Sequence, residues 1–177
     1  ENAAVYYYIT LMNEAYQQPA MPDGVEEGIV KGMYLFSEQG NAKAPAVRLF
    51  GSGTILLEAI EAASMLVEDY DVRVQVWSLT SATELARDIQ DVDRWNLLHP
   101  TSEPKHSYVA QCMNENARKK WMGAPVIAVS DYMKALPEQL RSAIDAPFHV
   151  LGTDGFGRSD TREKLRHFFE VDRRFIV

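Results

Sequence analysis

The sequence is poor in the residues on which several common kinds of site depend. It has 177 residues but a single cysteine, Cys112, which excludes an internal disulfide framework and a cysteine-rich zinc site. No apolar run reaches the roughly 18 residues that a membrane-spanning helix needs. The sequence also lacks a phosphate-loop lysine motif, a histidine pair at metal-binding spacing and a Gly-x-Ser-x-Gly elbow. The residues alone therefore indicate no self-contained active site.

Positive charge is also in short supply. Lysine and arginine number 18 against 25 aspartates and glutamates, which gives a net charge of −7. This balance argues against nucleic acid or an anionic membrane as a partner. The dense basic cluster Arg118-Lys119-Lys120, beside Trp121, is interpreted as solvated surface. With one cysteine and no signal-peptide pattern, the sequence suits a reducing cytoplasm.

Both ends of the sequence are apolar. The chain opens on an aromatic, β-prone run from Val5 to Met12 and closes within the run Arg174–Val177. Ends that fall inside packed structure are typical of a piece of a longer protein, and we expect this chain to be one. Pro19, Pro22 and Gly24 follow the first run and predict a linker and a domain boundary.

Strand and helix signals alternate along the rest of the chain. The clearest helix runs from Thr54 to Tyr70, with apolar residues at helical spacing, and Ser81-Ala82-Thr83-Glu84 forms a capping box for the next. This alternation predicts an α/β domain with a mostly parallel sheet and right-handed crossovers. The expected strands are Val5–Met12, Ile29–Phe36, Ala46–Phe50, Val72–Leu79, Pro125–Val129 and Phe148–Leu151. A helix is expected over Asp131–Ile144, which Pro137 must either kink or start afresh.

A glycine-rich stretch follows the last expected strand. Gly152, Gly155 and Gly157 fall within six residues and need a backbone reason, such as positive φ or the close approach of another backbone. Asp160 is placed to cap the following helix, with a glutamate three residues on as in a capping box. Asp154 and Asp160 could also serve acid–base chemistry, but turn formation and capping already explain both.

Two features near the first long helix could mark a binding site. Gly51-Ser52-Gly53 stands between a strand and a helix, where doubly wound folds bind phosphate. The dinucleotide fingerprint needs a third glycine at Leu56, so a tight turn that packs helix against strand is favoured instead. Glu58, Glu61 and Glu68 form an acidic ridge that a free-standing binding module could use. The four histidines are scattered and are interpreted as structural.

Five stretches taken together resemble the homodimeric, bacterial-type pyruvate dehydrogenases, a family of thiamine-dependent decarboxylating components. The resemblance is to the C-terminal part of that family and runs in order over nearly the whole chain. Gly152, Phe156, Gly157 and Ser159, with the helix after Asp160, also resemble the closing motif of the wider transketolase superfamily. The five stretches are Tyr6–Pro19, Leu49–Gly53, Thr80–Asp88, Arg94–Pro100 and Phe148–Phe169.

The resemblance implies a fold and a domain arrangement. The fold would be the transketolase C-terminal domain, a three-layer α/β/α sandwich whose mostly parallel sheet has one antiparallel strand. Residues 1–24 would supply the last strand of a preceding pyrimidine-binding domain and a linker, and residues 25–177 a C-terminal domain incomplete at its C-terminus. This part of the protein would be structural, supporting domain packing and dimerisation.

For the complete enzyme the resemblance implies a homodimer that binds thiamine diphosphate and Mg²⁺ between other domains. It would decarboxylate pyruvate and pass the acetyl group to the lipoyl groups of a dihydrolipoyl acetyltransferase. The family's Gly-Asp-Gly diphosphate motif is absent here, since Asp154-Gly155 follows Thr153. No catalytic, cofactor-binding or metal-binding residue is therefore carried over, and the chain alone is expected to be inactive. The turn Met12, Asn13 and Glu14 is a candidate for the active-site rim, because the matching turn in related transketolases contacts substrate.

The sequence departs from the family pattern at Glu115–Gly123, which looks like extra length and puts in doubt any interface carried over to that edge. Two alternatives stay open. One is another member of the transketolase superfamily that acts on a different 2-oxo acid or on a ketose, and the other is a non-catalytic α/β binding module. A Gly-Asp-Gly motif upstream of Glu1 would favour either enzyme over the binding module.

Overall fold

The computed structural model describes residues 4–9, 11, 15–115 and 119–177, in which strands and helices alternate. The strands are β1 (Met33–Gln39), β2 (Ala46–Ser52), β3 (Arg73–Leu79), β4 (Val126–Val129) and β5 (Phe148–Leu151). The helices are α1 (Glu26–Lys31), α2 (Ile55–Tyr70), α3 (Ala82–Leu98), α4 (Tyr108–Ala110), α5 (Ala135–Glu138), α6 (Arg162–Phe168) and α7 (Arg173–Ile176). A π-helical turn covers Gln111–Glu115, and 3₁₀ turns cover Lys119–Trp121 and Arg141–Ala143.

The five strands form a sheet in the order β1-β3-β2-β4-β5. The last four strands in this order are mutually parallel, whereas β1 lies antiparallel to β3. On the central strand β2, Leu49 lies opposite Val76 of β3 and Ile127 of β4. The mostly parallel sheet with one antiparallel strand is therefore confirmed.

One face of the sheet is covered by α3, α4 and the short turns that follow them. Helix α3 directs Leu85 and Ile89 at the sheet, because residues four apart share one face of a helix. They meet a layer of aromatic residues from three strands, Phe50, Trp77 and Phe148. The rings of Phe50 and Phe148 pack edge to face with centroids 6.3 Å apart. This is the first of two apolar cores.

The opposite face is covered by α2 and α7. The buried side of α2 is rich in small residues, such as Ala59 and Ala63, which let the helix approach the sheet closely. Leu49 and Val76 on the sheet and Ile176 on α7 complete this second core, and all three are at most 1% exposed. Helices therefore lie on both faces of the sheet, and the predicted three-layer α/β/α sandwich is confirmed.

The two long helices lie close to their predicted positions. Helix α3 begins after Ser81, whose side chain accepts a hydrogen bond from the amide of Glu84 at 3.2 Å, as a capping box requires. Helix α2 ends at Asp71, which adopts the left-handed conformation with φ of 50°. Among the described residues, no helix is both long and apolar enough to cross a membrane.

The strand expected over Val5–Met12 is not formed in the described part of that run, so this prediction is wrong. Residues 4–9 and 11 have no regular structure, and Tyr6 and Tyr8 are 91% and 88% exposed. An aromatic run becomes a strand only where a neighbouring strand pairs with its backbone, and none of the five strands pairs with this one.

Two further predictions of regular structure are corrected. The strand expected over Ile29–Phe36 is wrong in its first half, which belongs to α1, and right in its second half, where β1 begins at Met33. Gly32, with a φ of 107°, ends the helix between the two. The helix expected over Asp131–Ile144 is replaced by α5 and a 3₁₀ turn. Pro137 lies in the first turn of α5, where a missing backbone N–H removes no intrahelical hydrogen bond.

Two buried arginines hold the irregular region before β4 against the sheet. Arg48 is 1% exposed and donates to the carbonyl of Met113 at 2.8 Å and to the carbonyl of Trp121. Arg73 donates to the carbonyl of Lys120, and its guanidinium lies 4.9 Å from the Trp121 ring centroid. Trp121 itself is 1% exposed. This indole is thus an anchor in the interior, not part of a solvated surface as predicted.

Candidate functional site

The carboxyl ends of the parallel strands meet at one edge of the sheet, and a topological switch point lies there. From β2 the chain passes through α2 to β3 on one side, whereas the next parallel strand, β4, pairs with the other side of β2. Open α/β sheets bind ligands at the carboxyl edge beside such a point. Gly53, Asp131 and Thr153 lie just beyond the ends of three strands at this edge, where a site is therefore expected.

The turn Gly51-Ser52-Gly53 serves close packing. A Cβ atom on Gly51 would lie 2.6 Å from the Cα of Leu56, a distance that real Cβ atoms essentially never show. Leu56 also occupies the position where a dinucleotide fingerprint would have its third glycine. The geometry agrees with the favoured interpretation, in which glycine lets the first turn of α2 lie directly against β2.

The three glycines of the turn after β5 differ in their packing and backbone conformation. Gly152 is required by close approach, because a Cβ there would lie 2.8 Å from the carbonyl oxygen of Tyr132. Gly155 has a φ of 96°, which favours glycine. Gly157 has no positive φ, and a Cβ there would meet nothing within 4 Å. The fold explains the first two glycines but not the third.

The polar residues of this turn make local contacts. Asp154 accepts a hydrogen bond from the amide of Lys134 at 3.0 Å, so it forms part of the turn. Asp160 is not the N-cap, and that prediction is wrong: α6 begins one residue later, with Thr161 as its N-cap. The carboxylate of Asp160 accepts instead from the amide of Thr161 at 2.8 Å. Phe156 and Ser159 are exposed, Phe156 by 98%.

Glu58 is the best-buried carboxylate near this edge, and two arginines surround it. Its side chain is 7% exposed and lies on α2. Arg166 of α6 donates to Oε1 at 3.1 Å. Arg173 donates to Oε2 through its backbone amide at 3.1 Å and through Nε at 2.9 Å. Glu58 therefore ties the last two helices to α2, and the predicted acidic ridge of Glu58, Glu61 and Glu68 loses its first member to an internal ion-pair cluster.

The cluster sets the ionisation of Glu58. Burial alone would raise the pKa of this carboxyl, but hydrogen bonds and positive charge from Arg173, with the charge of Arg166, outweigh burial and lower the pKa. A depressed carboxyl pKa stabilises the folded state above the ordinary pKa of the carboxyl, and this contribution disappears as the pH falls through the folded-state value.

We therefore expect the chain to lose stability on acidification in part through Glu58. In chemical denaturation between about pH 7 and pH 3, the free energy of unfolding of the wild type should fall more steeply than that of Glu58→Gln. The two curves should approach each other at the acid end, where Glu58 is protonated in both states. Parallel curves over the whole range would contradict the assignment.

Two depressions adjoin the cluster at the carboxyl edge. The larger is a groove of about 920 Å³ between Tyr16 and helices α6 and α7. The smaller is a crevice of about 320 Å³ beneath the turn that carries Phe156. Arg158, Arg162 and Arg166 line both depressions. The arginines of the C-terminal region are therefore concentrated where the sheet ends.

The other candidate groups do not assemble into a site. Lys120 pairs with Glu38, so this part of the basic cluster is neutralised locally. Cys112 is partly buried beside Tyr108, and burial raises the pKa of its thiol. His167 places Nδ1 2.9 Å from Oδ2 of Asp172. Within the part of the chain that the structure describes, no three His, Cys, Asp or Glu side chains are grouped to hold a metal ion.

Met12, Asn13 and Glu14, predicted as an active-site rim, lie outside the described residues. The arginine clamp on Glu58 is a feature that sequence reasoning missed. A signal was available, since Arg166 and Arg173 are seven residues apart on a C-terminal segment that is basic in an acidic chain. Nothing in the sequence indicates, however, that both would converge on one glutamate more than a hundred residues away.

Comparison with known proteins gives matches that cover most or all of the chain. Residues 32–172 match the family model described as the transketolase-like TK C-terminal domain. The chain is 54% identical over its whole length to the pyruvate dehydrogenase E1 component of Cupriavidus necator and 53% identical to that of Pseudomonas aeruginosa. It is also 53% identical over 98% of its length to the E1 component of Escherichia coli K12. The chain spans about a fifth of the length of these relatives, which is 19% of the Escherichia coli protein.

Solved structures show the same fold at low identity. The transketolase of Campylobacter jejuni matches with a TM-score of 0.51 and 17% identity, covering 93% of this chain and 20% of its own. The transketolase of Leishmania mexicana matches with a TM-score of 0.50 and 21% identity, covering 85% of this chain and 18% of its own. At such identities the likeness bears on the architecture of the sheet and its helices alone.

Proposed function

Because the chain belongs to the family of transketolase-like C-terminal domains, we propose that it acts as the C-terminal domain of a pyruvate dehydrogenase E1 component. The observation that carries the proposal is the identity of 54% over the whole chain to a protein of that name. The complete enzyme would decarboxylate pyruvate with thiamine diphosphate and Mg²⁺ and transfer the acetyl group to a dihydrolipoyl acetyltransferase. Such an enzyme would be a homodimer of the cytoplasm.

The residues of this chain do not fit the cofactor or its metal. The Gly-Asp-Gly motif is absent from the sequence, and no metal-ligating cluster occurs among the described residues. The buried carboxylate Glu58 already has two arginine partners. No step of the decarboxylation is therefore assigned to a side chain here, and any cofactor would be held by other parts of the enzyme.

The role that remains for the chain is mechanical support. Two apolar cores, one on each face of the sheet, support the proposal that residues 25–177 form a domain of their own. In the complete enzyme, residues 1–24 would supply a linker and, once the strands of a preceding pyrimidine-binding domain pair with the aromatic run, the last strand of that domain. The exposed aromatic run that includes Tyr6 and Tyr8 is consistent with this, because such side chains are normally covered by a partner surface. Met12, Asn13 and Glu14 would then lie at the rim of the active site.

A domain replacement tests the proposal. The segment of the Escherichia coli E1 component that matches this chain would be exchanged for it, and pyruvate decarboxylation would be measured with thiamine diphosphate and Mg²⁺. We expect the chimera to retain a large part of the parent activity, because the interface residues of a 53% identical domain should be mostly compatible. The chain alone should show no decarboxylation, and calorimetric titration should detect no tight binding of thiamine diphosphate.

The matched control is a second chimera that carries the corresponding domain of Campylobacter jejuni transketolase, which shares the fold at 17% identity. It should be inactive, because common architecture does not conserve interface side chains. Equal activity of both chimeras would show that the fold alone suffices. A folded, dimeric chimera with this chain that lacks activity would contradict the proposal and favour a different superfamily enzyme.

A further inference from the structure

The crevice of about 320 Å³ at the carboxyl edge has the make-up of a small ligand site. Its volume lies in the range of ligand pockets, which are mostly apolar with a few convergent polar groups. Leu165, Phe169 and Val171 form its apolar wall, and Asp131 and Thr153 close it where β4 and β5 end. It therefore lies beside the switch point, where open α/β sheets bind ligands.

Arginines outnumber acidic residues in the lining of the crevice, although the chain as a whole is acidic. Three arginines line it, and Asp131 is its one acidic lining residue among those described. Arg158 lies over the Phe168 ring, 4.2 Å from the centroid, and forms no ion pair with any described carboxylate. Arg166 is fixed by Glu58 at 3.1 Å and Thr54 at 3.4 Å, and its side chain is 17% exposed. Among the described residues, the Arg158 guanidinium thus has no carboxylate partner, whereas that of Arg166 is held in place by Glu58.

The rim of the crevice carries two residues that the fold does not explain. Phe156 is 98% exposed, which leaves a large apolar ring in water. Gly157 has no positive φ, and a Cβ atom added there would meet no atom within 4 Å, so neither backbone conformation nor close packing requires a glycine. Both line the crevice, where a glycine leaves the backbone open to close approach and an aromatic ring offers a stacking surface. A ligand with a flat apolar group would use both.

We propose that this crevice binds a small organic phosphate that carries an apolar ring. Arg158 binds the phosphate, because guanidinium groups pair with phosphate oxygens through two parallel hydrogen bonds. Arg166 adds positive charge from its fixed position. The ring packs on the wall formed by Leu165 and Phe169 and beneath Phe156. This site is separate from the thiamine diphosphate chemistry proposed for the complete enzyme.

The test is a titration of the 177-residue chain with phenyl phosphate, followed by amide chemical shifts in NMR. We expect saturable binding in the millimolar range or tighter, with the largest shifts at Thr153, Gly157 and Leu165. Inorganic phosphate should bind at least about fivefold more weakly, because it lacks the ring that the apolar wall would cover. Benzyl alcohol, which has the ring without the charge, should give no saturable shifts.

Three variants locate the binding groups. Arg158→Gln should weaken phenyl phosphate binding about tenfold, since a charge-assisted hydrogen-bond pair is lost. Asp131→Asn should tighten binding, because it removes the negative charge from the lining. The matched control is Arg174→Gln, which removes an arginine from the larger groove but not from the crevice, and it should leave the dissociation constant unchanged within about twofold.

Several results would overturn the proposal. They are the absence of saturable binding, equal affinity of wild type and Arg158→Gln, or equal affinity for phenyl phosphate and inorganic phosphate. Sedimentation of the wild type supplies a further check. If the chain forms a dimer that Phe156→Ala and Arg158→Gln both dissociate, the crevice is an interface between copies and not a ligand site.

Discussion

Replacing Glu58 by glutamine is expected to lower the free energy of unfolding by roughly 3 kcal/mol, which is a large share of the stability of a domain of this size. Glutamine preserves the volume and one acceptor of the side chain but removes its charge. Arg166 and Arg173 would then lose their shared carboxylate, and Arg166, at 17% side-chain exposure, has little water to replace it. Removing one partner of a buried ion pair leaves uncompensated charge behind, which is why the cost is high.

Loss of the Glu58 charge is expected to destabilise helix α7 as well as the ion-pair cluster itself. Both the backbone amide and the side chain of Arg173 donate to it, and that residue begins α7. Helix α7 contributes Ile176 to the second core. Urea denaturation followed by circular dichroism would give the stability, and hydrogen exchange should show the amides after Val171 losing protection first.

Glu61→Gln is the matched control for this prediction. Glu61 lies one turn further along α2 and also pairs with Arg173, at 3.2 Å, but its side chain is 57% exposed. An exposed pair contributes between zero and about 1 kcal/mol, so this change should be nearly neutral. Similar losses for both variants would mean that the buried position of Glu58 gives it no special role.

Replacing Gly51 by alanine is expected to destabilise the chain by about 3 kcal/mol. The added Cβ would lie 2.6 Å from the Cα of Leu56 and 3.1 Å from its amide nitrogen. These are backbone atoms, which cannot move aside as the end of a flexible side chain can. Relief would require α2 to shift away from β2, and that helix covers the second core.

Gly157→Ala provides the control for the glycine prediction. An alanine there meets nothing within 4 Å and requires no positive φ. It should leave stability unchanged or raise it by up to about 1 kcal/mol, because alanine restricts the unfolded chain. Thermal unfolding of the two variants side by side would separate them by several degrees. A destabilised Gly157→Ala would show that the turn is more constrained than its geometry indicates.

The fold could be predicted from the sequence where local pattern and tertiary environment agree. The helical spacing of apolar residues in α2 and the capping box at Ser81 placed both long helices close to where they lie. The buried strands were apparent for a similar reason. A strand of a parallel sheet is covered on both faces, so its sequence can be continuously apolar, as in β4 with the sequence Val-Ile-Ala-Val.

Predictions failed where structure depends on contacts made elsewhere in the chain. The aromatic run Val5–Met12 has strong β-propensity, but propensity supplies no partner for its backbone. The sequence assigns Trp121 to the solvated surface together with its basic neighbours. In the structure its carbonyl accepts a hydrogen bond from the buried Arg48, and this contact holds Trp121 in the interior. The clamp on Glu58 joins residues more than a hundred positions apart, and no local pattern reports such a pairing.

The two outer strands of the sheet have a bearing on how the molecule avoids aggregation. On β1, the pairing register with β3 shifts between Leu35 and Ser37, and such an irregularity twists an edge away from a flat template. On β5, which is only four residues long, Arg141 donates to the carbonyl of Phe148 at 2.7 Å. A strand from another molecule would find a distorted edge on one side and a short, partly occupied edge on the other. Amyloid-like stacking through this sheet is therefore disfavoured even where the surrounding side chains are apolar.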